Sequence, residues 1–316
     1  MKIQRSNIET VSQIAKSVFL SEAWLNMYGK ELEVYAIFDK GNKIIGGFTL
    51  YKETKLGVLN YYRNPFFSPT INLFFENKAQ NKAKLLSENK KILTLIADFL
   101  CNLPFHILSV YLPSSNIDMQ PFYWKSFKAV PNYTYIIDLK NDISLIEKQF
   151  STERRNDIKK AIKDGVEARI CNDYEIVKSL VLNTFTRKNK SVDMNMIDKI
   201  LFSFANNKNS FAFVSYKNNQ AIATSFCIYD KQKVYYLLGG YDTLNKHQGA
   251  GALAVYNAIK HSKDLGIEKF DFEGSMLIEV EKYFRGFGGD LTPYYSINKA
   301  VMPIEMGLKF INRSQF

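Results

Sequence analysis

Cysteine is scarce. Cys101, Cys171 and Cys227 are odd in number, far apart and set among apolar residues. That leaves no disulfide framework and no zinc-type spacing, so the three read as buried free thiols of a reducing compartment. A secretory or membrane-spanning run is also missing. MKIQRSNIET has no apolar core of signal-peptide length, and the most hydrophobic stretch, residues 92–112, is broken by Asp98 and Pro104. The expected compartment is the cytoplasm. Acidic residues are in deficit: 31 Asp and Glu face 42 Lys and Arg, a net charge of +11. Such a balance favours an anionic partner, whether a nucleotide, a phosphate-bearing cofactor, tRNA or a membrane surface, although lysines on solvated helix faces explain it equally well. What is present in quantity is apolar surface. At 46% of 316 residues it is enough for two packed domains.

The chain is organised around residues 234–266, VYYLLGGYDTLNKHQGAGALAVYNAIKHSKDLG. This reads as a buried strand, a loop ending in His247, Gln248, Gly249, Ala250, Gly251 and Ala252, and a helix from about 250 to 263 that stops at Gly266. Small residues at a helix start let a pyrophosphate approach unpaired N–H groups at the positive end of the dipole. Ahead of it, 211–240 forms three alternating strands with turns at Asn218-Asn219 and Asp230-Lys231. The first half has the same order. Three strands across 34–62 turn at Gly41-Asn42 and near Glu53-Thr54. They lead into a proline-bearing loop, Arg63 to Pro69, then a helix over about 77–102 and a strand at 106–112. A shift of about 177 positions lays Asn42 on Asn219 and Ile45 on Ile222, as expected of one unit used twice. Helical spacing marks 8–28, with Ser21 as a cap. Between the halves lie a strand at 133–139 and one or two helices over 143–164, ended by Gly165. This region holds ERRNDIKK, in which Arg155 and Lys159 share a face that is either solvated or a phosphate contact. Helices at 174–187 and 194–206 follow.

Gln248 and Gly251 fit the Gln/Arg-x-x-Gly-x-Gly/Ala acyl-donor loop of the Gcn5-related N-acyltransferase (GNAT) superfamily, with Leu253 where a small residue is usual. The continuation resembles the FemAB-like (peptidoglycan-bridge aminoacyltransferase-like) branch. Asp271, Phe272, Gly274 and Ser275 fit its D-F-x-G-S, and Phe284, Arg285, Gly286, Phe287 and Gly288 fit F-K/R-x-G-F-G. Arg155, Ile158 and Ala161 fit R-x-x-I-+-+-A. The resemblance implies an α+β fold of two tandem GNAT-like units, each a mixed, mostly antiparallel sheet flanked by helices. Residues 1–132 would be a degenerate N-terminal unit on the acceptor side, and 133–316 a C-terminal unit carrying the donor site.

It also implies an N-acyltransferase that moves an acyl or aminoacyl group from acyl-CoA or charged tRNA to an amine of a cell-envelope precursor, a peptidoglycan or amino-sugar intermediate. The donor would lie along Leu238, Gly239, Gly240, Gln248, Gly249, Ala250, Gly251 and Ala252. A backbone N–H of the splayed strand 235–241 would polarise its carbonyl, unless the glycines merely end a strand. Candidate catalytic residues are Tyr241, as the acid that reprotonates the leaving group, Glu273 and Arg285. Glu273 is a carboxylate at the end of a buried strand, which is costly unless it has a partner or a task. Arg285 stands where tRNA-dependent Fem enzymes carry a lysine, and pairing with Glu281 on its own helix is its plain structural alternative. His247 reads as an exposed loop histidine touching phosphate or solvent. Candidate substrate-binding residues are Arg63, Arg155, Lys159, Ser275, Phe284 and Phe287. No metal is expected. The donor loop tilts the choice toward acyl-CoA, the charge toward aminoacyl-tRNA. Expected partners are a small-molecule or lipid-linked amine. tRNA and peripheral membrane contact stay open, though no long amphipathic helix with a basic face stands out, and DNA is not expected. A non-catalytic tRNA- or phosphate-binding protein on a transferase fold is the alternative reading.

Overall fold

A computed structural model describes residues 1–116, 118–187, 193–274 and 276–316, side chains at 185–187 excepted. The chain opens with β1 (Lys2–Arg5), α1 (Ile8–Ser12), α2 (Glu22–Leu25), β2 (Leu32–Phe38), β3 (Ile44–Lys55), β4 (Leu59–Arg63) and β5 (Phe74–Phe75). Then come α3 (Lys82–Cys101), β6 (Ile107–Leu112) and α4 (Gln120–Trp124). It continues through β7 (Lys128–Asp138), α5 (Ile143–Gln149), α6 (Thr152–Lys163), β8 (Glu167–Ile170), α7 (Tyr174–Arg187) and α8 (Met194–Asp198). Strands β9 (Ser210–Lys217), β10 (Gln220–Tyr229) and β11 (Lys233–Tyr241) lead to α9 (Ala250–Asp264), β12 (Lys269–Asp271) and α10 (Ile278–Arg285). The last elements are β13 (Asp290–Ala300) and α11 (Met302–Ile311). No described helix is long and apolar enough to cross a membrane.

Two compact units result: residues 1–132 with 293–316, and residues 133–292. In the first, an antiparallel meander β1-β2-β3-β4 meets β6 in parallel, and β6 takes β13 antiparallel. In the second, the antiparallel run β8-β9-β10-β11 meets β12 in parallel, and β12 takes β7 antiparallel. The strand orders are the same, and each parallel pair is joined through a helix, α3 or α9. The doubled unit read from the sequence is therefore present as topology, and the fold class is α+β with two GNAT-like units.

A plain division into 1–132 and 133–316 differs from these units at the C-terminal end. Register Tyr295↔Leu112 to Ala300↔Ile107 ties β13 to β6, and Ile297 is sealed in the first unit's core with Phe48, Ile96 and Leu108. The first unit thus takes its sixth strand, β13, from the far end of the chain, whereas the second uses β7, the strand that opens it. A second difference is local: β3 runs on to Lys55, so its hairpin turns at Leu56-Gly57 rather than near Glu53-Thr54. The other hairpin turns fall where the sequence puts them, and Asn42 and Asn219 both have φ of 62°, a left-handed conformation that asparagine tolerates.

The helices follow their apolar spacing. Helix α3 is capped by the Asn81 side chain and buries Ile92, Leu93, Ile96, Ala97 and Leu100 on one face, with lysines elsewhere. Helix α9 buries Ala250, Ala252, Leu253, Ala254, Val255, Ala258 and Ile259, and its alanines bring the helix axis close to the sheet. That helix starts where the site was expected.

Candidate functional site

Strands β11 and β12 pair in parallel only from Lys233↔Lys269 to Tyr235↔Asp271, while β11 continues to Tyr241. Beyond the last pair β12 turns away. Phe272 N–H donates to the Tyr135 carbonyl on β7, and Gly274 presses so close to Tyr133 that a methyl group there would lie 2.3 Å from its carbonyl oxygen. The turn passes through Glu273 at φ 58° and Gly274 at φ 74°. For a glutamate this is a strained conformation of the kind that gathers at active sites. The result is a wedge-shaped gap beside the end of β11, in the stretch 235–241 where the sequence reading looks for a splayed strand.

Inside the second unit, Glu273 stands at this turn. Its Oε1 is buried with no hydrogen-bond partner. Burial, with the Asp271 charge adding and Lys233 opposing, raises the carboxyl well above the usual carboxylate range. The residue as a whole is half-buried, so the sealed atom and not the whole side chain carries the desolvation cost. Asp271 itself is fully committed, accepting from Thr134 Oγ1 at 2.7 Å, from the Glu273 N–H at 2.9 Å and from Lys233 Nζ at 2.9 Å. Cys227, opposite Tyr236 across a bulge in the β10–β11 ladder, is sealed. Burial first and the Glu273 charge second push its thiol up.

The wedge is lined by aromatic rings. Tyr236 meets Phe284 edge-on at 5.7 Å, and its hydroxyl takes the space of the missing Gly239 side chain, where a methyl group would lie 1.9 Å away. Burial pushes the Tyr236 and Tyr283 hydroxyls up, so both stay protonated and available as donors. The Tyr283 hydroxyl lies 3.4 Å from the space a methyl group on Gly251 would fill. Gly240 faces the other way: a methyl group would strike the Leu180 carbonyl of α7 at 2.2 Å. These glycines serve close packing inside the unit as well as ending a strand. Leu238 is buried, and Tyr241 is half-buried against the core.

The donor loop departs from expectation. Gly249, Ala250 and Ala252 are buried and Gly251 is partly exposed. Against Gly249 lies α6. A methyl group on Gly249 would sit 1.9 Å from the Asp157 carbonyl oxygen, so this glycine exists to let two helices touch. Gln248 Nε2 donates to Asp157 Oδ1 at 2.8 Å, and Asp157 Oδ2 accepts from Arg154 Nη1 at 2.8 Å. The Arg154 guanidinium lies 4.4 Å from the Tyr283 ring centre, and both members of the ion pair are buried. His247 is the clearest correction. Its side chain is buried, Nδ1 accepts from the Gly249 N–H at 3.2 Å and Nε2 meets Asp164 Oδ2 at 3.1 Å. Asp164 is held down to about 2, first by the His247 hydrogen bond and then by Lys160. The His247 and Gln248 side chains are thus bonded to α6 and its C-terminal Asp164, while the expected donor grip rests on the backbone N–H groups that open α9.

The remaining candidates scatter. Arg285 is exposed and donates through Nε to Glu281 Oε1 at 2.9 Å, the carboxylate that also accepts from the Tyr135 hydroxyl. Phe284 and Phe287 stack on Phe272 in the core, Phe287 fully sealed and Phe284 nearly so. Arg155 donates to the Lys148 and Phe150 carbonyls at the end of α5, while Lys159 is exposed. Arg63, in the first unit, pairs with Glu53 at 3.3 Å and lies over the Phe66 ring at 4.2 Å. Ser275 falls outside the described residues. Sequence reading passed over Asp157, Tyr236 and Tyr283, and took Arg154 only as a member of the basic stretch ERRNDIKK, whereas it is buried against Asp157. The available signal was Arg154 and Asp157 three apart on one helix, a spacing that permits an ion pair.

Residues 193–285 match the family model of the acetyltransferase (GNAT) domain. That match lies wholly within the second unit. Over the whole chain the fold is similar to that of FemX, with a TM-score of 0.66 at 11% identity, covering 99% of this chain and 100% of that one. The C-terminal domain of a putative lysylphosphatidylglycerol synthetase from Agrobacterium fabrum follows at 0.57 and 11%, covering 96% of each chain. A conserved protein of unknown function from Bacteroides thetaiotaomicron VPI-5482 gives 0.58 at 12%, covering 94% of this chain and 98% of that one. At these identities the likeness is one of fold. No curated protein matches the sequence significantly.

Proposed function

We propose that the chain is an N-acyltransferase that moves an aminoacyl group from charged tRNA to an amine of a cell-envelope precursor. The observation that carries the reading is the strained, sealed Glu273 where β11 and β12 diverge. A structural role alone gives no reason to hold a glutamate in a left-handed turn with an orphaned oxygen. In the transfer, the amine nitrogen bonds to the donor carbonyl carbon and the bond to the departing oxygen breaks. Glu273, neutral in its buried state, gives its proton to that oxygen. The carboxylate left behind then takes the proton released from the new ammonium centre. The protonated Tyr236 and Tyr283 hydroxyls and a β11 N–H are the donors available to the oxyanion. The first unit would serve the acceptor side.

Charged tRNA is preferred over acyl-CoA because the His247 and Gln248 side chains are engaged with α6, which leaves only backbone groups of the loop for a pyrophosphate. The net charge of +11 points the same way. A lipid-linked acceptor draws on the putative lysylphosphatidylglycerol synthetase, whose name specifies an aminoacylated lipid. The test supplies the purified protein with tRNA charged with labelled amino acids, or with labelled acyl-CoA, together with soluble and lipid-linked amine precursors. Label should move from tRNA. Transfer from CoA alone overturns the donor, and no transfer from either overturns the reaction.

A further inference from the structure

Two exposed apolar features project from one end of the first unit's sheet. A rung of backbone hydrogen bonds marks that end: His106 N–H donates to the Asn60 carbonyl at 2.9 Å, and Val301 N–H donates to the His106 carbonyl at 3.0 Å. Just before Asn60 stands the β3–β4 hairpin tip, and just after Val301 begins α11. The tip holds Leu56 at 88% exposure beside exposed Val58. Leu56 has φ of 51° and Gly57 of 72°, a turn in which asparagine or glycine is the favoured first residue and a leucine is strained. A bulky apolar side chain held in solvent at a conformational cost has no folding rationale.

Helix α11, MPIEMGLKFI, has no buried residue. Ile304 and Leu308 are half-buried on the side that meets the protein. Met302, Met306 and Phe310 follow at four-residue intervals on the opposite side and are all exposed, Phe310 to 88%. Its only charged pair, Glu305 with Lys309 at 2.8 Å, lies at the flank. This reverses the usual arrangement, in which the outward face is polar. The surroundings are cationic. Lys55 lies beside the tip, Lys309 and Arg313 beside the helix, and the unit carries 19 Lys and Arg against 11 Asp and Glu, most of the chain's excess.

We infer that this end of the first unit docks on an anionic lipid surface, with Met302, Met306, Phe310, Leu56 and Val58 sinking among the acyl chains and the lysines resting at phosphate level. Separate apolar protrusions ringed by flexible cations suit a fluid, negatively charged interface. The inference is independent of the transfer chemistry.

The test is vesicle flotation of the full chain, with phosphatidylcholine vesicles containing or lacking about a third phosphatidylglycerol. The protein should float with the anionic vesicles, and binding should fall about tenfold on raising salt from low to moderate. The double substitution Met306→Glu and Phe310→Glu should reduce bound protein about tenfold with an unchanged melting temperature. Leu56→Asn should reduce it severalfold while leaving the fold intact, because asparagine accepts the turn. Failure of the wild-type chain to float overturns the inference, as does full binding by the double variant. A dimer in solution that Phe310→Glu splits, without flotation, overturns it in favour of self-association. None of these outcomes alters the tRNA-transfer result with soluble precursors, so the two readings fail separately.

Discussion

The two units share a strand order yet treat the gap after their parallel pair in opposite ways. In the first unit β4 and β6 pair from Tyr61↔Ile107 to Arg63↔Ser109, and the proline-bearing loop then stitches the strands together. Asn64 Oδ1 accepts from the Tyr111 N–H at 2.9 Å, and Ile71 N–H donates to the Tyr111 carbonyl at 2.9 Å. In the second unit the corresponding pair ends at Tyr235↔Asp271, and Glu273 and Gly274 carry β12 away through two left-handed residues. One gap is filled by backbone; the other is lined by titratable and aromatic side chains. A duplicated fold can thus keep its sheet twice and treat the gap beside it in two ways.

Breaking that contrast at its centre should have the largest effect. Glu273→Gln keeps shape but cannot exchange a proton, so transfer should fall by about 10²- to 10⁴-fold. Chemical unfolding should show no loss of stability, since the variant cannot bury a charge. A variant that turns over like the wild type would reduce the contrast to a difference in packing. Next is Arg154→Met. Removing one member of the buried pair with Asp157 leaves a carboxylate uncompensated and should cost about 3–5 kcal/mol in denaturant titrations, with the loss of hydrogen-exchange protection centred on α6 and α9. Ile297→Ala tests the exchanged sixth strand. Truncating this sealed β13 side chain should cost about 2–4 kcal/mol and lower protection in β4 and β6 rather than in β9 and β10. The opposite pattern would return 293–316 to the second unit.

Smaller effects sharpen the picture of the loop. Gly251→Ala meets only the Tyr283 hydroxyl, at an ordinary contact distance, so helix propensity should raise stability by about 0.5–1 kcal/mol. Transfer from tRNA should be unchanged. A selective loss of transfer from acyl-CoA would show that the loop does hold a pyrophosphate. The smallest effect belongs to Asp164. Its carboxyl sits at about 2 against an ordinary 3.8. The stabilisation is therefore complete above 3.8 and disappears as pH falls toward about 2. Asp164→Asn should melt slightly below the wild type at pH 6 and together with it near pH 2.

Much of this was legible in the residues. Alternating strands and Asn turns defined both meanders, the apolar spacing defined α3 and α9, and D-F-x-G placed Glu273 at a strand end. Less legible were the partners of polar side chains. Gln248 and His247 look like ligand contacts until α6 is seen to lie against them, and Phe287 looks like a pocket wall until it is found under Phe150 and Phe272. Nothing local in the sequence distinguishes an arginine near the surface from one sealed over two rings, so Arg154 and Arg155 read alike as members of one basic stretch.

By itself, the sequence determined the class of fold, the repetition of the meander and the positions of the helix starts, because periodicity, turn chemistry and capping act over a few residues. Only the tertiary structure decided which strand completes each sheet, that α6 packs against Gly249, and that Glu273 is strained with one carboxyl oxygen sealed. Those outcomes depend on contacts between segments from about 90 to 190 residues apart and on which carbonyl lies within reach of a missing methyl group, and no local pattern encodes either.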